Sequence, residues 1–211
     1  MGKVDDNKRL KLNSMLESAL QLFTKQGLNK TSISDIVEHS GVAKGTFYLY
    51  FKDKYDIRNK LVVYESRKIL RSAYLSMLEE NLQGLEAQVV FIVNHILKEL
   101  QGRQELLGLI SKNLSWGILK REITRPDLQE EFEFTRIFLS LTAPYGISAD
   151  DSEIMLYLLV ELVGASCYSS ILYEEPCRLE TLKPHLLETV RQIVRQFIAG
   201  SNLQTEPNRS I

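Results

Sequence analysis

Cysteine is almost absent. Cys167 and Cys177 are the two in the chain, with no Cys-x-x-Cys and no histidine pair beside them. That usage excludes a disulfide framework and a zinc ligand set and fits a reducing cytoplasm, with a redox-sensing pair as the remaining alternative. Proline is scarce as well. The five prolines stand at 126, 144, 176, 184 and 207, so only glycine interrupts the first 125 residues, which favours helices. The three histidines, at 39, 95 and 185, are scattered. There is no His-Glu-x-x-His, no Gly-x-Ser-x-Gly and no glycine-rich phosphate loop. The carboxylates fall on the polar sides of helical patterns. Neither catalytic residues nor a cofactor or metal site are expected. Strand-like alternation, internal repeats and low-complexity runs are missing too.

A secretory leader is not expected, because the first residues, MGKVDDNKRLKLNSMLESAL, hold no continuous apolar stretch and no small-residue cleavage site. One apolar run does occur, IMLYLLVELVGASCYSSILY, from 154 to 173. Its length is that of a membrane span. Glu161 lies near its middle, however, serines follow at 166, 169 and 170, and no basic cluster flanks it. The reading is a helix buried on two sides, by its own core and by a partner subunit, and not a membrane segment.

What is present is helical periodicity. Leu12, Met15, Leu16, Ala19, Leu20 and Phe23 share one face of a helix over about 8–27, which Gly27 ends. Ile33, Ile36 and Val37 mark a short second helix, with Thr31, Ser32 and Ser34 as candidate caps. A third, at 43–50, is too short to stand alone. Long helices are expected at about 55–80, through Val89–Leu100, through Leu106–Ile118, near 127–142, at 150–173 and at 180–199. The chain reads as all-α, with about nine helices. Charge divides it. Residues 1–60 carry eleven Lys/Arg and seven Asp/Glu, a balance of +4, while residues 61–211 carry fifteen and twenty, a balance of −5. A basic N-terminal module on an acidic remainder points to a polyanion partner for the first.

The stretch SISDIVEHSGVAKGTFYLYFKDK, from Ser32 to Lys54, carries the sharpest signal. Two short helices meet at Gly41, which can take the left-handed conformation of a tight turn. Ile36, Val37, Val42 and Phe47 can share a small core with Leu20 and Phe23. This is the plan of a helix-turn-helix, whose second helix is free to enter a DNA major groove. Its outer face is expected to carry Lys44, Gly45, Thr46, Tyr48 and Tyr50, with Lys52 and Lys54 beyond it for phosphates. The start of the first short helix offers Thr31, Ser32 and Ser34 to another phosphate.

Over about residues 10–60, SALQLFTKQGLNKTSISDIVEHSGVAKGTFYLYFKDKYDI strongly resembles the N-terminal domain of the tetracycline-repressor (TetR) family of bacterial transcription regulators. The matching elements are ALQLF before a glycine, TSISDIVEHSGV, and AKGTFYLYFKDK, in order and at the family's spacings. The resemblance places Lys44 and Gly45 at the start of the recognition helix, Thr46 and Tyr48 on its reading and phosphate-gripping face, and Lys54 at the lysine that opens the next helix. The chain departs from the family pattern at three positions. Tyr50 stands where many members have histidine, Ala43 where serine or threonine is frequent, and Val37 where alanine is usual.

The resemblance further implies a DNA-binding domain over 1–60 and a helical ligand-binding and dimerisation domain over 61–200, while the tail over 201–211 has no apolar stripe and is expected to be disordered. It implies a homodimer built through the helices near 150–173 and 180–199, a double-stranded palindromic operator, and repression relieved by a small molecule. Phe91, His95, Asn113, Trp116, Phe134, Phe138, Tyr157 and Tyr168 lie on helices able to surround a cavity. Asn113 and Trp116 share a face. A small apolar or aromatic effector is therefore expected. The competing expectation is a DNA-binding regulator worked by a protein partner, with no small-molecule pocket.

Overall fold

The computed structural model describes residues 3–113 and 134–205. Among these it contains nine α-helices and one short 3₁₀ turn, in agreement with the all-α expectation. The helices are α1 (Lys3–Gln26), α2 (Ile33–Ser40), α3 (Lys44–Tyr50), α4 (Lys54–Glu79), α5 (Leu85–Gln101), α6 (Gln104–Asn113), α7 (Phe134–Thr142), α8 (Ala149–Leu172) and α9 (Leu179–Thr205).

Two cores organise them. The first joins α1 to α4. Met15, Leu16, Ala19 and Phe23 of α1 meet Ile36 and Val37 of α2, Phe47 of α3, and Ile57 and Leu61 of α4, with Phe51 between the last two helices. Phe47 and Phe51 are the largest side chains wholly inside it. They anchor seven residues of α3 that could not hold helical shape alone. The second, larger core lies among α4–α9 and draws on Val89, Val93 and Leu97, on Leu106, Leu107 and Ile110, and on Met155, Leu159, Val190 and Val194. Leu20 and Leu109 pack against both cores. The two units therefore touch through α6 as well as through the continuous helix α4.

The helix ends follow the local chemistry. Ser32 caps α2: its hydroxyl accepts from the Asp35 amide, and the Asp35 carboxylate accepts from the Ser32 amide at 2.8 Å. These bonds hold the Asp35 carboxyl below the usual carboxylate range. Gly41 closes α2 at φ +69°, in the left-handed region that favours glycine. Asp53 caps α4 by accepting from the amides of Tyr55 and Asp56, and Ser148 caps α8 by accepting from the Asp151 amide.

Helix α9 runs on to Thr205, into the span expected as tail. Ser201 is buried there and its hydroxyl donates to the Tyr145 carbonyl at 2.8 Å, so the last turn is tied to the body. The apolar run lies in α8, the one helix among the described residues long and apolar enough to cross a membrane. Its inner face packs into the second core, while Ile154, Tyr157 and Leu158 stay exposed on its outer face.

Candidate nucleic-acid interface and the cavity behind it

Helix α3 turns two faces in opposite directions. Phe47 is fully buried, and Tyr50 packs against the first core on the same side. Lys44, Gly45, Tyr48 and Leu49 are exposed on the other. At 100° per residue these four fall on one contiguous arc. The outer face thus combines a cation, a position open to close backbone approach, a phenol, and an aliphatic side chain that is 82% exposed. No atom lies within 4 Å of a Cβ placed on Gly45, so its openness faces solvent.

The expected contact residues divide accordingly. Lys44, Gly45 and Tyr48 stand on the outer face, Lys52 is exposed just beyond it, and Ser34 is exposed near the start of α2. Thr46 is half-buried. Ser32 is exposed, but its hydroxyl is engaged in the cap. Thr31 points inward: it is buried, and its hydroxyl donates to the Gly27 carbonyl at 2.9 Å. Tyr50 also leaves the outer face, and its hydroxyl donates to the Lys8 carbonyl at 3.3 Å. Lys54 is committed as well. Its ammonium donates to the carbonyls of Leu28, Asn29 and Thr31 at 3.1, 3.4 and 3.3 Å, which ties the α1–α2 turn to the start of α4. Lys60 performs a similar task for α3, donating to the Tyr50 carbonyl at 2.6 Å. Sequence reasoning missed Leu49. The signal was available, since Leu49 lies two residues from the buried Phe47 and so on the far side of a helix.

Behind this unit, α4–α8 line a partly open cavity of about 290 Å³. Its wall is mainly aliphatic: Ile69 and Leu70 from α4, Val93 and Ile96 from α5, Leu107 and Ile110 from α6, Leu159 and Val163 from α8, with Glu161 of α8 also among the lining residues. Ser66 also lines it, and its buried hydroxyl has no hydrogen-bond partner among the described residues. Cys167 lines it too, and burial pushes its thiol up to about 11. The thiolate that would make it reactive is therefore disfavoured at neutral pH.

Of the residues expected here, Phe138 and Tyr168 reach the wall. Phe91 packs beside a separate small cluster of Ala73, Met77 and Ile92. The His95 ring shares a hydrogen bond with the Ser72 hydroxyl at 3.1 Å. Tyr157 lies on the outer face of α8. Trp116 lies outside the described residues, as do the side chains of Asn113 and Phe134. The expectation leaned on aromatics, but the cavity is built from the aliphatic stripes that periodicity assigned to core.

The family model for bacterial regulatory proteins of the tetR family matches residues 15–61, the segment that forms this first unit. The fatty acid metabolism regulator protein of Bacillus subtilis (strain 168) is 40% identical over 147 residues, covering 58% of this chain and 73% of that protein. The chain belongs to the TetR family. A TetR-family member with this helix-turn-helix is a DNA-binding transcription regulator. A shorter likeness, 50% over 44 residues, joins it to the HTH-type regulator YvdT of the same organism, but spans only 23% of that protein. The fold is shared over most of the chain with the transcriptional regulator FadR from Bacillus subtilis, solved in complex with stearoyl-CoA. The TM-score is 0.60 at 15% identity, over 84% of this chain and 96% of that one.

Proposed function

We propose that the protein is a dimeric transcriptional repressor of the cytoplasm that leaves a palindromic operator when an aliphatic effector fills the cavity among α4–α8. The observation that carries the DNA half of this reading is the outer face of α3, where Lys44, Gly45, Tyr48 and Leu49 stand together and exposed, the Tyr48 ring edge-on to buried Phe47. Lysine suits guanine or phosphate, tyrosine a phosphate oxygen, and leucine a thymine methyl. The cavity supports the other half. Its mainly aliphatic wall favours the apolar side of the expected apolar or aromatic effector, a hydrocarbon chain, and Ser66 brings to that wall a hydroxyl with no partner among the described residues. An acyl chain meets both demands. The name of the B. subtilis relative and the stearoyl-CoA in the FadR structure point the same way.

Dimerisation is part of the proposal. The exposed Ile154, Tyr157 and Leu158 on α8 form the apolar face a second copy would cover, with α9 beside it. Two α3 helices about one DNA turn apart would then read a palindrome. Release follows if the filled cavity favours a dimer in which that spacing is lost. The reading without a pocket, in which a protein partner works the switch, loses ground to this mainly aliphatic cavity.

The test uses saturated acyl chains of graded length added to the protein and to its complex with DNA. The expected result is a rise in melting temperature that peaks at one chain length, with DNA affinity falling at that same length. Chains that never shift the melting temperature would remove the effector from the account and leave the DNA-binding part standing.

A further inference from the structure

Residues 6–11 of α1 have no place in either core. From Asp6 to Lys11 every side chain is exposed, and Leu10 is 66% exposed. Half-buried Leu12 and fully buried Met15 are the first residues of α1 to pack on the core of the first unit. A helix gains most of its stability from a packed face, so folding alone gives no reason for this extension. Its charge is predominantly positive: over residues 3–11 the sequence holds Lys3, Lys8, Arg9 and Lys11 against Asp5 and Asp6, and Asp6 lies 3.9 Å from Arg9 in an exposed pair of little energetic weight.

Its position follows from the continuous helix α1, and one hydrogen bond ties it to α3. The Tyr50 hydroxyl, at the last residue of α3, donates to the Lys8 carbonyl. The basic turns of α1 are thereby held at the C-terminal end of the helix proposed to lie in the major groove. A duplex seated on Lys44, Gly45, Tyr48 and Leu49 continues past that end, and what it presents there is its phosphate backbone.

We infer that the N-terminal turns of α1 form a second DNA-binding element, in which Lys8, Arg9 and Lys11 grip phosphates flanking the half-site. This rests on the reading of α3 as the recognition helix. The interaction is electrostatic and does not depend on sequence. It adds affinity and footprint without changing which bases are read. It also gives Tyr50 a role: the phenol orients the basic turns and does not read a base.

The test compares the full chain with a Lys8→Gln/Arg9→Gln/Lys11→Gln variant, on duplexes carrying the selected site, between about 50 and about 200 mM salt. Melting temperature is followed in parallel, and is expected to be unchanged because the three side chains are exposed. The plot of log affinity against log salt should become shallower by about one for each phosphate that is no longer neutralised, hence by at least about two per dimer. The ranking of half-site sequences should stay the same, while backbone protection at the flanks of the site disappears. An unchanged slope and footprint overturn the inference and leave α3 as the reader. A wild type with no sequence preference overturns the reading itself, and the inference with it.

Discussion

Lys54 shows how a side chain expected at a phosphate can also serve the fold. A lysine opening a helix beside a DNA-binding face invites a phosphate, but its three hydrogen bonds go to the carbonyls of Leu28, Asn29 and Thr31. Lys54→Met should therefore lower stability by about 1–2 kcal/mol and weaken DNA binding through the displaced start of α2, with the salt slope nearly unchanged. Calorimetry and a salt titration separate this from a phosphate-binding lysine, whose removal would flatten the slope and leave melting alone. Cys167 makes a pH prediction. Burial raises its thiol from 9.0 to about 11. Its contribution to stability is complete below pH 9.0 and is lost as pH rises towards about 11, because the unfolded thiol ionises first. Urea melts near neutral pH and near pH 10.5 should show the wild type losing on the order of 2 kcal/mol more than Cys167→Ala. Equal losses in the two proteins would show that the thiol is not desolvated.

At the scale of elements, α6 is a second bridge beside α4. Leu107 and Ile110 line the cavity while Leu109 packs against both cores. Leu109→Ala is expected to leave effector affinity within a few-fold and DNA affinity nearly intact, yet to reduce the effect of one on the other. A full thermodynamic cycle of effector and DNA binding measures that coupling directly. The same elements show what the sequence could disclose. The helix-turn-helix was legible because its determinants are local: Gly41 at the turn, Ser32 and Asp35 as a reciprocal cap, Phe47 at the inward step of a seven-residue helix. The inward turn of Thr31 was not legible, since Thr31 and Ser32 offer the same hydroxyl and only packing against α1 decides which one faces the core. Nor was the cavity. Val93, Leu107 and Leu159 carry the same apolar signal whether they touch one another or leave space between them, and the shape of that space depends on how five helices cross. Lys54 was hidden for a related reason, because its partners lie 23 to 26 residues away along the chain.

For the molecule as a whole, the exposed apolar strip on α8 and the basic α3 face make one account only if two copies associate. Leu158→Asp, at an exposed position, should leave the monomer folded and raise the dimer dissociation constant by at least about tenfold, as a charge would lose its water in the interface. Sedimentation reads that change, and operator affinity should fall with it. The most direct test of the central claim is selection from random-sequence duplexes by the wild type and by a Lys44→Ala/Tyr48→Ala variant, side by side at several salt concentrations. The account predicts that the wild type enriches a palindrome whose half-sites lie about one helical turn apart, and that the variant enriches none while keeping its melting temperature. Enrichment of the same sequence by both proteins, or of nothing by the wild type, would contradict recognition by the outer face of α3.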